Sequence, residues 1–394
     1  MAPPAATIAV LGDDILQEVF ILLPTPADLL RAALACQPFL RVARSAAFLR
    51  RFRRRHPSTC PVVLGCLLYR PSKRRGASAP YLLPADLLGA TRRTIEGGDF
   101  ALSFLPRRGR PDGPGTPWRI LDCRNGSLLL RDGASGELAV ADPLTRRWVS
   151  LPALPGGRRV GYALVPDDGD SSAFKAVCIS RRAGTTELRA FLLSSAELRW
   201  ADVGTLAQQP NLAGSRAMQA KRSLYWKLMG GGHMVALNTA TMELTVLALP
   251  PFLREQTFDV IEKGEDGAGK LCVLTMRGLC IEVWIGEDDG AGGLTWTLLE
   301  KSVRFYGAME AMILSDPLDQ TPQGDVIGVA AGVVFLRSSS CLLSIHLETM
   351  KMTRLSLDVN CPSPLIYPYT IGWPPAILNP TEQGMQHYIS AYDD

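Results

Sequence analysis

The feature that most constrains this chain is a cadence of short apolar runs and turns that repeats along most of its length. Five positions close successive repeats and are separated by 52, 44, 52 and 56 residues: Trp148, Trp200, Leu244, Trp296 and Met352. A period of about 40–55 residues built from four short strands is typical of β-propeller blades. The pattern therefore predicts an all-β ring.

Turn residues inside the repeats favour strands over helices. Asn125-Gly126 and Asp132-Gly133 separate apolar runs in the first repeat, and such dipeptides are strong hairpin signals. The same or a related order of runs returns in four further segments: 174–200, 223–247, 270–296 and 332–355. We therefore predict five blades made of consecutive hairpins.

Three apolar runs fall outside these repeats, at residues 62–68, 100–105 and 365–367. We predict that they form one more blade from both ends of the β-rich region, because closing the ring hides the sheet edges. The expected count is then about six blades. An irregular all-β solenoid is the alternative.

Composition limits the classes of protein that fit. The 394 residues are 47% hydrophobic and 20% charged, with a formal net charge of +4, as in an ordinary soluble domain. No apolar run approaches the roughly 20 residues that span a bilayer. Residues 1–6 lack the basic and apolar regions of a secretory signal. We expect a cytoplasmic or nuclear protein with neither a membrane nor a nucleic-acid partner.

Cysteine and histidine usage argues against disulfides and metal sites. Nine cysteines are scattered without a CxxC pair, and only four histidines are present. Structural zinc sites use such ligands at short, regular spacing. We expect reduced thiols, no metal and no cofactor.

The N-terminal part has a different, helical pattern. A helix is predicted over residues 15–23, with Asp13 and Asp14 at the positive end of its dipole. Pro24 ends it, because proline lacks the backbone N–H that a helix interior requires.

Further short helices follow the first one. A second helix is predicted to begin near Pro26 and to end at Pro38, and a third segment continues from Phe39 to about Phe52. A three-helix module of this size buries little surface and usually needs a partner or an attached domain. The alternative is a generic dimerisation or capping module.

Residues 11–24, 28–43 and 48–52 together resemble an F-box. The sequence departs from the usual pattern at Gly12, where proline is common, and at Phe39, where tryptophan is common. The later cadence from Asp142 to Trp148 resembles the β-rich domain that follows many plant F-boxes, especially in grasses. The resemblance implies an α+β multidomain chain with a small N-terminal three-helix F-box at 8–56 and an all-β, propeller-like domain at 57–394.

An F-box implies a role as the substrate-recognition subunit of an SCF-type cullin-RING ubiquitin ligase. It would dock on a Skp-type adaptor, and through it on a cullin, while the propeller recruits a protein substrate that the sequence does not identify. No catalytic residue is implied. The resemblance places these residues at the adaptor interface or in the module's own small core: Leu11, Ile15, Leu16, Val19, Phe20, Leu23, Pro24, Leu29, Leu30, Cys36 and Phe39. We expect Leu16 and Phe20, four residues apart, to lie on the exposed stripe that the adaptor covers.

Other interpretations stay open. The basic run at residues 50–56 fits a nuclear signal, an RNA-binding segment or the solvated end of a helix. The Gly230–His233 segment fits a hairpin turn better than a phosphate loop, and the acidic turns at 264–267 and 287–290 lack the spaced ligands of a calcium site. A non-ligase interaction scaffold and a propeller hydrolase are the alternative functions.

Overall fold

Helices occupy the start of the described chain and strands the remainder. The computed structural model describes residues 11–23, 26–56, 62–69, 79–85, 98–106, 118–154, 158–166, 173–181, 185, 187–207, 216–220, 222–263, 270–277, 280–288, 290, 293–302, 324–337, 342–347, 351–356 and 366–371.

Four short helices form the N-terminal module, one more than the sequence predicts: α1 (Asp13–Ile21), α2 (Pro26–Ala35), α3 (Gln37–Ala43) and α4 (Ala46–Arg55). The prediction that Pro38 ends the second helix is wrong, because Pro38 lies in the first turn of α3. The first turn of a helix has no use for the N–H that proline lacks, so proline is tolerated there. The backbone N–H of Phe48 donates to Ser45 Oγ (3.5 Å), which separates α4 from α3.

The strands form six antiparallel sheets, which are the blades of a six-bladed propeller, as predicted. Each of the first five blades has four consecutive strands: β3–β6 in blade 1, β7–β10 in blade 2, β11–β14 in blade 3, β15–β18 in blade 4 and β19–β22 in blade 5. Blade 6 combines β1, β2 and β23. In chain order the strands are β1 (Val62–Tyr69), β2 (Pro80–Pro84), β3 (Trp118–Arg124), β4 (Ser127–Asp132), β5 (Leu138–Asp142), β6 (Arg147–Leu151), β7 (Arg158–Pro166), β8 (Phe174–Arg181), β9 (Leu188–Ser194), β10 (Trp200–Leu206), β11 (Met218–Ala220), β12 (Ser223–Lys227), β13 (His233–Asn238), β14 (Leu244–Ala248), β15 (Phe258–Lys263), β16 (Lys270–Arg277), β17 (Cys280–Asp288), β18 (Leu294–Ser302), β19 (Asp325–Ala330), β20 (Val333–Arg337), β21 (Leu342–His346), β22 (Met352–Ser356) and β23 (Tyr367–Ile371).

Blade 6 closes the ring by joining strands from distant parts of the chain. β1 pairs with β23 in an antiparallel register that runs from Val62 opposite Ile371 to Leu67 opposite Tyr367. The predicted pairing of residues 62–68 with the run near 365–367 is thus confirmed, although the strand begins at Tyr367 and residue 365 lies outside the described residues.

The rest of blade 6 differs from the prediction. Its outer described strand is β2, which the sequence pattern did not identify. Residues 100–105 form turns instead of a strand. Their buried side chains, among them Phe100 and Leu105, fill the apolar space beside the blade.

The helices and the ring share one hydrophobic cluster. It contains Leu16, Phe20 and Phe52 of the helices together with Leu67 of β1 and Tyr369 of β23. Five further clusters lie within the ring. The helical module is therefore packed as part of the same core as blades 6 and 1. Its boundary with the propeller, at residues 56 and 57, stays a prediction.

Recurrent polar turns connect the outer strands. Asp142 Oδ1 accepts the backbone N–H groups of Leu144 (2.8 Å) and Thr145 (3.3 Å), and Asn238 makes the equivalent bonds in blade 3. The fourth residue after each, Arg146 or Met242, has a positive φ near 57°. Such a φ strains residues other than glycine.

We expect Arg146→Gly to raise the free energy of unfolding by about 0.5–1 kcal/mol, because glycine adopts this backbone conformation without strain. The Arg146 side chain is exposed, so little packing is lost. Arg147→Gly is the control, since Arg147 begins β6, where glycine weakens a strand. Thermal unfolding of the wild type and the two variants measures both effects. A destabilised Arg146→Gly variant would contradict the backbone strain inferred at Arg146.

We expect Asp142→Asn to stabilise the protein at pH 7. Burial raises the pKa of the Asp142 carboxyl above its ordinary value, despite the backbone N–H bonds that lower it. A carboxyl with a raised pKa contributes most stability at low pH and loses it as pH rises through that pKa. Asparagine keeps the acceptor oxygen without the charge, so its advantage should shrink as unfolding is measured at progressively lower pH. An advantage that does not vary with pH would contradict this cause.

Candidate functional site

The outer side of α1 presents an exposed apolar stripe. Ile15, Val19 and Leu22 follow one another at intervals of four and three residues, as one face of a helix requires, and Leu11 stands just before the N-cap residue Gly12. Their exposed fractions are 37%, 53%, 47% and 67% for Leu11, Ile15, Val19 and Leu22 respectively. We call these four residues the α1 stripe. Large apolar side chains exposed together are typical of a protein-binding surface.

The inner side of α1 belongs to the module's core. Leu16 and Phe20 are 2% and 3% exposed, so the expectation that they lie on the exposed stripe is wrong. The Phe20 ring packs edge-on against Phe39 (centroids 5.3 Å apart) and lies 6.3 Å from the ring of Phe48. Apolar residues occupy both sides of α1, and helical spacing alone did not show which side faces inward.

The other residues assigned to the adaptor interface take several positions. Leu29 and Leu30 are fully buried in the core, and Leu23 and Phe39 are partly buried against it. Cys36 is partly buried and precedes α3. Pro24 lies outside the described residues. Leu22, which sequence analysis left out, could have been found because it follows Val19 by three residues and Ile15 by seven.

Two ion pairs hold neighbouring helices beside α1. Arg41 Nη2 of α3 lies 2.8 Å from Asp13 Oδ1, and Arg51 Nη2 of α4 lies 2.8 Å from Glu18 Oε1. Both pairs are exposed, so each contributes at most about 1 kcal/mol to stability. The second pair borders the α1 stripe with charged groups, because Glu18 lies three residues after Ile15 and four before Leu22.

The centre of the ring is a second candidate site. The first strands of blades 1 to 5 and β23 lie innermost: β3 contacts β7 and β23, and β15 contacts β11 and β19. Arg124 of β3 reaches across to blade 3, where Nη1 donates to Gln219 Oε1 (2.7 Å) and Nη2 to the Ala217 carbonyl (2.9 Å). Its side chain thereby ties two non-adjacent blades.

Two carboxylates at this centre are held by fixed donors. Asp122 Oδ2 accepts from Arg124 Nε (2.9 Å) and from the Leu164 N–H of blade 2 (2.8 Å). Asp259 accepts from Arg216 and from the Val329 N–H of blade 5 (2.7 Å). Each aspartate therefore links its own blade to the next one.

The charges of this centre balance one another. Burial lowers the pKa of the Arg216 guanidinium, but the charges of Asp259 and Asp122 more than offset burial and raise it. Both carboxylates are thus engaged by guanidinium and backbone donors. A glycan hydrolase needs one carboxyl as an acid and another as a base or nucleophile, and these two are committed to holding the blades.

A surface patch lies where blades 3 and 4 meet. The rings of Phe252 and Trp284 are 4.5 Å apart, and the Arg277 guanidinium lies 5.3 Å above the Phe252 ring. Trp284 Nε1 donates to the buried Glu282 carboxylate at 3.2 Å. The sequence showed Trp284 only as a blade residue. Partly exposed aromatic and arginine side chains of this kind are enriched in protein interfaces.

The remaining motifs have structural explanations. The Gly230–His233 segment is the β12–β13 hairpin turn, where Gly231 has a φ of 71° and an added Cβ would collide with the Arg254 carbonyl. Glu287 pairs with Lys270 (2.7 Å), while residues 264–267 lie outside the described residues.

Three general findings concern only the described part of the chain. That part contains no group of three or more side chains that could hold a metal ion. The six cysteines in this part are not joined in disulfides: Cys36, Cys66, Cys123, Cys178, Cys272 and Cys280. Membrane-spanning length and apolarity are absent from every described helix.

We expect Arg216→Met to lower the free energy of unfolding by about 3–5 kcal/mol, because it leaves the buried Asp259 carboxylate without its cation. Asp259→Asn in the same chain should restore part of that loss, since the remaining group is neutral. Chemical denaturation of the wild type, both single variants and the double variant gives the coupling, expected at about 1–3 kcal/mol. Additive effects would contradict the ion pair.

Comparisons with solved structures find matches of low identity. A chain of the nidogen–laminin complex aligns over 73% of this chain and 91% of that chain, with 10% identity and a TM-score of 0.36. YCF48 bound to D1 peptide aligns over 62% and 69%, with 10% identity and a TM-score of 0.34. The WD40 domain of SCAP from fission yeast aligns over 61% and 52%, with 14% identity and a TM-score of 0.32. Likenesses this weak carry no functional argument.

Sequence comparison is more specific. No curated protein matches the chain. Residues 119–377 match the family described as "F-box protein AT5G49610-like, beta-propeller". The matched segment covers blades 1 to 5 and reaches β23, the strand that closes the ring. The chain therefore belongs to this β-propeller family.

Proposed function

We infer that this protein is the substrate-recognition subunit of an SCF-type cullin-RING ubiquitin ligase. Its helical module binds a Skp-type adaptor, and through it a cullin, while its propeller recruits a protein substrate for ubiquitination. Membership of the F-box propeller family supports this role. The ubiquitin chemistry belongs to partner enzymes, so this chain acts without catalytic residues of its own.

The observation that carries the proposal is the α1 stripe. A helix in so small a module has few apolar residues to spare, yet Ile15, Val19 and Leu22 are about half or more exposed. Full burial of such a side chain contributes about 1.5–3 kcal/mol, and this contribution is missing while the three side chains remain in water. A partner that covers the stripe recovers that free energy, and the N-terminal pattern resembles the F-box, whose partner is a Skp-type adaptor.

The division of labour within the interface follows from burial. The α1 stripe makes the apolar contact, while Leu16, Phe20, Leu29 and Leu30 hold the helices in place. Leu23 and Phe39 connect the two groups at the edge of the core.

We also propose a cytoplasmic or nuclear location, where cullin-RING ligases act, and a plant, grass-type origin.

The alternatives make different demands on the molecule. A scaffold outside the ligase would use the α1 stripe for a partner other than the adaptor. A propeller hydrolase would need carboxyl groups free for chemistry, whereas Asp122 and Asp259 are engaged in holding neighbouring blades. The adaptor experiment separates the ligase role from the scaffold.

We expect Ile15→Asp combined with Val19→Asp to abolish adaptor capture. Covering these half-exposed side chains contributes about 2–3 kcal/mol, and buried charge adds a further cost, so binding should weaken at least about a hundredfold. The module should stay folded, because both positions already face water. Co-purification of a Skp-type adaptor with the full-length protein measures the effect.

The matched control places the same charges on exposed apolar residues of the propeller. Met229→Asp combined with Leu298→Asp alters side chains that are 67% and 45% exposed and should leave adaptor capture intact. Leu16→Asp and Phe20→Asp are unsuitable, because they would disrupt the core and give loss of binding for a trivial reason. Capture by the Ile15/Val19 variant equal to that of the wild type would remove the ligase proposal.

A further inference from the structure

The helical module carries a concentrated basic face beside the α1 stripe. Residues 11–56 contain eight arginines against four acidic residues. Five of those arginines belong to α4, and four of them have described, exposed side chains: Arg50, Arg51, Arg54 and Arg55. Arg51 pairs with Glu18, whereas no ion pair joins the other three to a described residue.

This basic run is fixed in a folded helix. Phe48 and Phe52, on the inner side of α4, are fully buried. Their rings lie 6.0 Å apart, and the Phe52 ring lies 4.3 Å from that of His56. If the basic run were to bind a partner as an extended peptide, α4 would have to unfold, and both phenylalanines would have to leave the core. The surface on offer is thus a rigid helix face with regularly spaced guanidinium groups.

The basic face runs alongside the α1 stripe. Arg51 meets Glu18 midway along α1, and His56 Nε2 lies 3.4 Å from the Ile21 carbonyl at its end. Arg55 follows Arg51 by four residues, so it continues the same side of α4 towards the end of α1. Arg51 and Arg55 therefore border one side of the α1 stripe, and Arg50 and Arg54 lie next to them on the exposed side of α4.

We propose that the α4 arginines form the basic rim of the adaptor interface and contact an acidic surface of the Skp-type adaptor. The inference rests on the proposed function and adds the chemistry of the partner's surface. Opposite charges around an apolar contact accelerate association and fix orientation more than they add affinity. Exposed arginines of this kind gain from a partner only when its acidic groups border the groove that receives the stripe.

The test replaces three charges without changing the stripe. Arg50→Gln, Arg54→Gln and Arg55→Gln are combined in the full-length chain, since glutamine has nearly the same helix propensity as arginine. Binding kinetics to a purified Skp-type adaptor are measured from about 50 to 500 mM NaCl, a range over which exposed charges become screened. The control combines Arg146→Gln, Arg222→Gln and Arg254→Gln, which removes three exposed arginines from the propeller.

We call the protein with the three α4 substitutions the α4 variant. For this variant only, we expect slower association with the adaptor and an affinity about tenfold weaker at low salt. Its affinity should also depend less on salt than that of the wild type. If adaptor binding by the wild type is insensitive to salt and the α4 variant binds equally well, the proposed basic rim is wrong. The proposed function would then still stand. A wild type that does not bind the adaptor removes both.

A second part of the experiment uses a polyanion to test the remaining explanation, which is that the basic face binds nucleic acid. A fluorescently labelled single-stranded RNA is titrated into the wild type and the α4 variant under the same salt conditions. RNA binding that is lost in the α4 variant, together with unchanged adaptor binding, would assign the basic face to nucleic acid and overturn the proposal. Wild-type and variant proteins that bind RNA equally weakly, with adaptor binding reduced, support it.

Discussion

The antiparallel pairing of β1 with β23 is the constraint on which the rest of the structure depends. Without it, the blades would form an open row with unpaired edges, which favours aggregation. The pairing also brings Tyr367 and Tyr369 against blade 1, where their hydroxyls donate to the carbonyls of Ile120 (2.7 Å) and Gly126 (3.1 Å). Closure therefore fixes the position of blade 1 as well as that of blade 6.

Polar groups at the centre continue what closure begins. Asp122 and Asp259 each accept a backbone N–H from the neighbouring blade, and Arg124 spans the ring from blade 1 to blade 3. Such buried groups stabilise only when every partner is present. The ring is thus held by specific geometry at its centre and by apolar packing between blades.

The sequence predicted the ring well and the helical surface less well, for physical reasons. Turn signals such as Asn125-Gly126 act locally, and a repeat displays them several times, so the blade pattern is readable. The fate of Phe100 depended on an apolar space that forms only in the tertiary structure. Likewise, Leu16 and Ile15 are adjacent apolar residues, and only the packing of α3 and α4 determines which of them is buried. Pro38 was misread because proline both ends helices and begins them.

The shared cluster has a consequence for synthesis. The core of the helical module includes Tyr367, Tyr369 and Ile371 of β23, although the helices end at Arg55 and β1 at Tyr69. During translation, the helices emerge early but lack part of their packing surface until β23 leaves the ribosome. A chain that terminates before Tyr367 has neither a closed ring nor a complete seat for the helices. Prematurely ended products are therefore disfavoured from presenting a folded helical module without a closed ring.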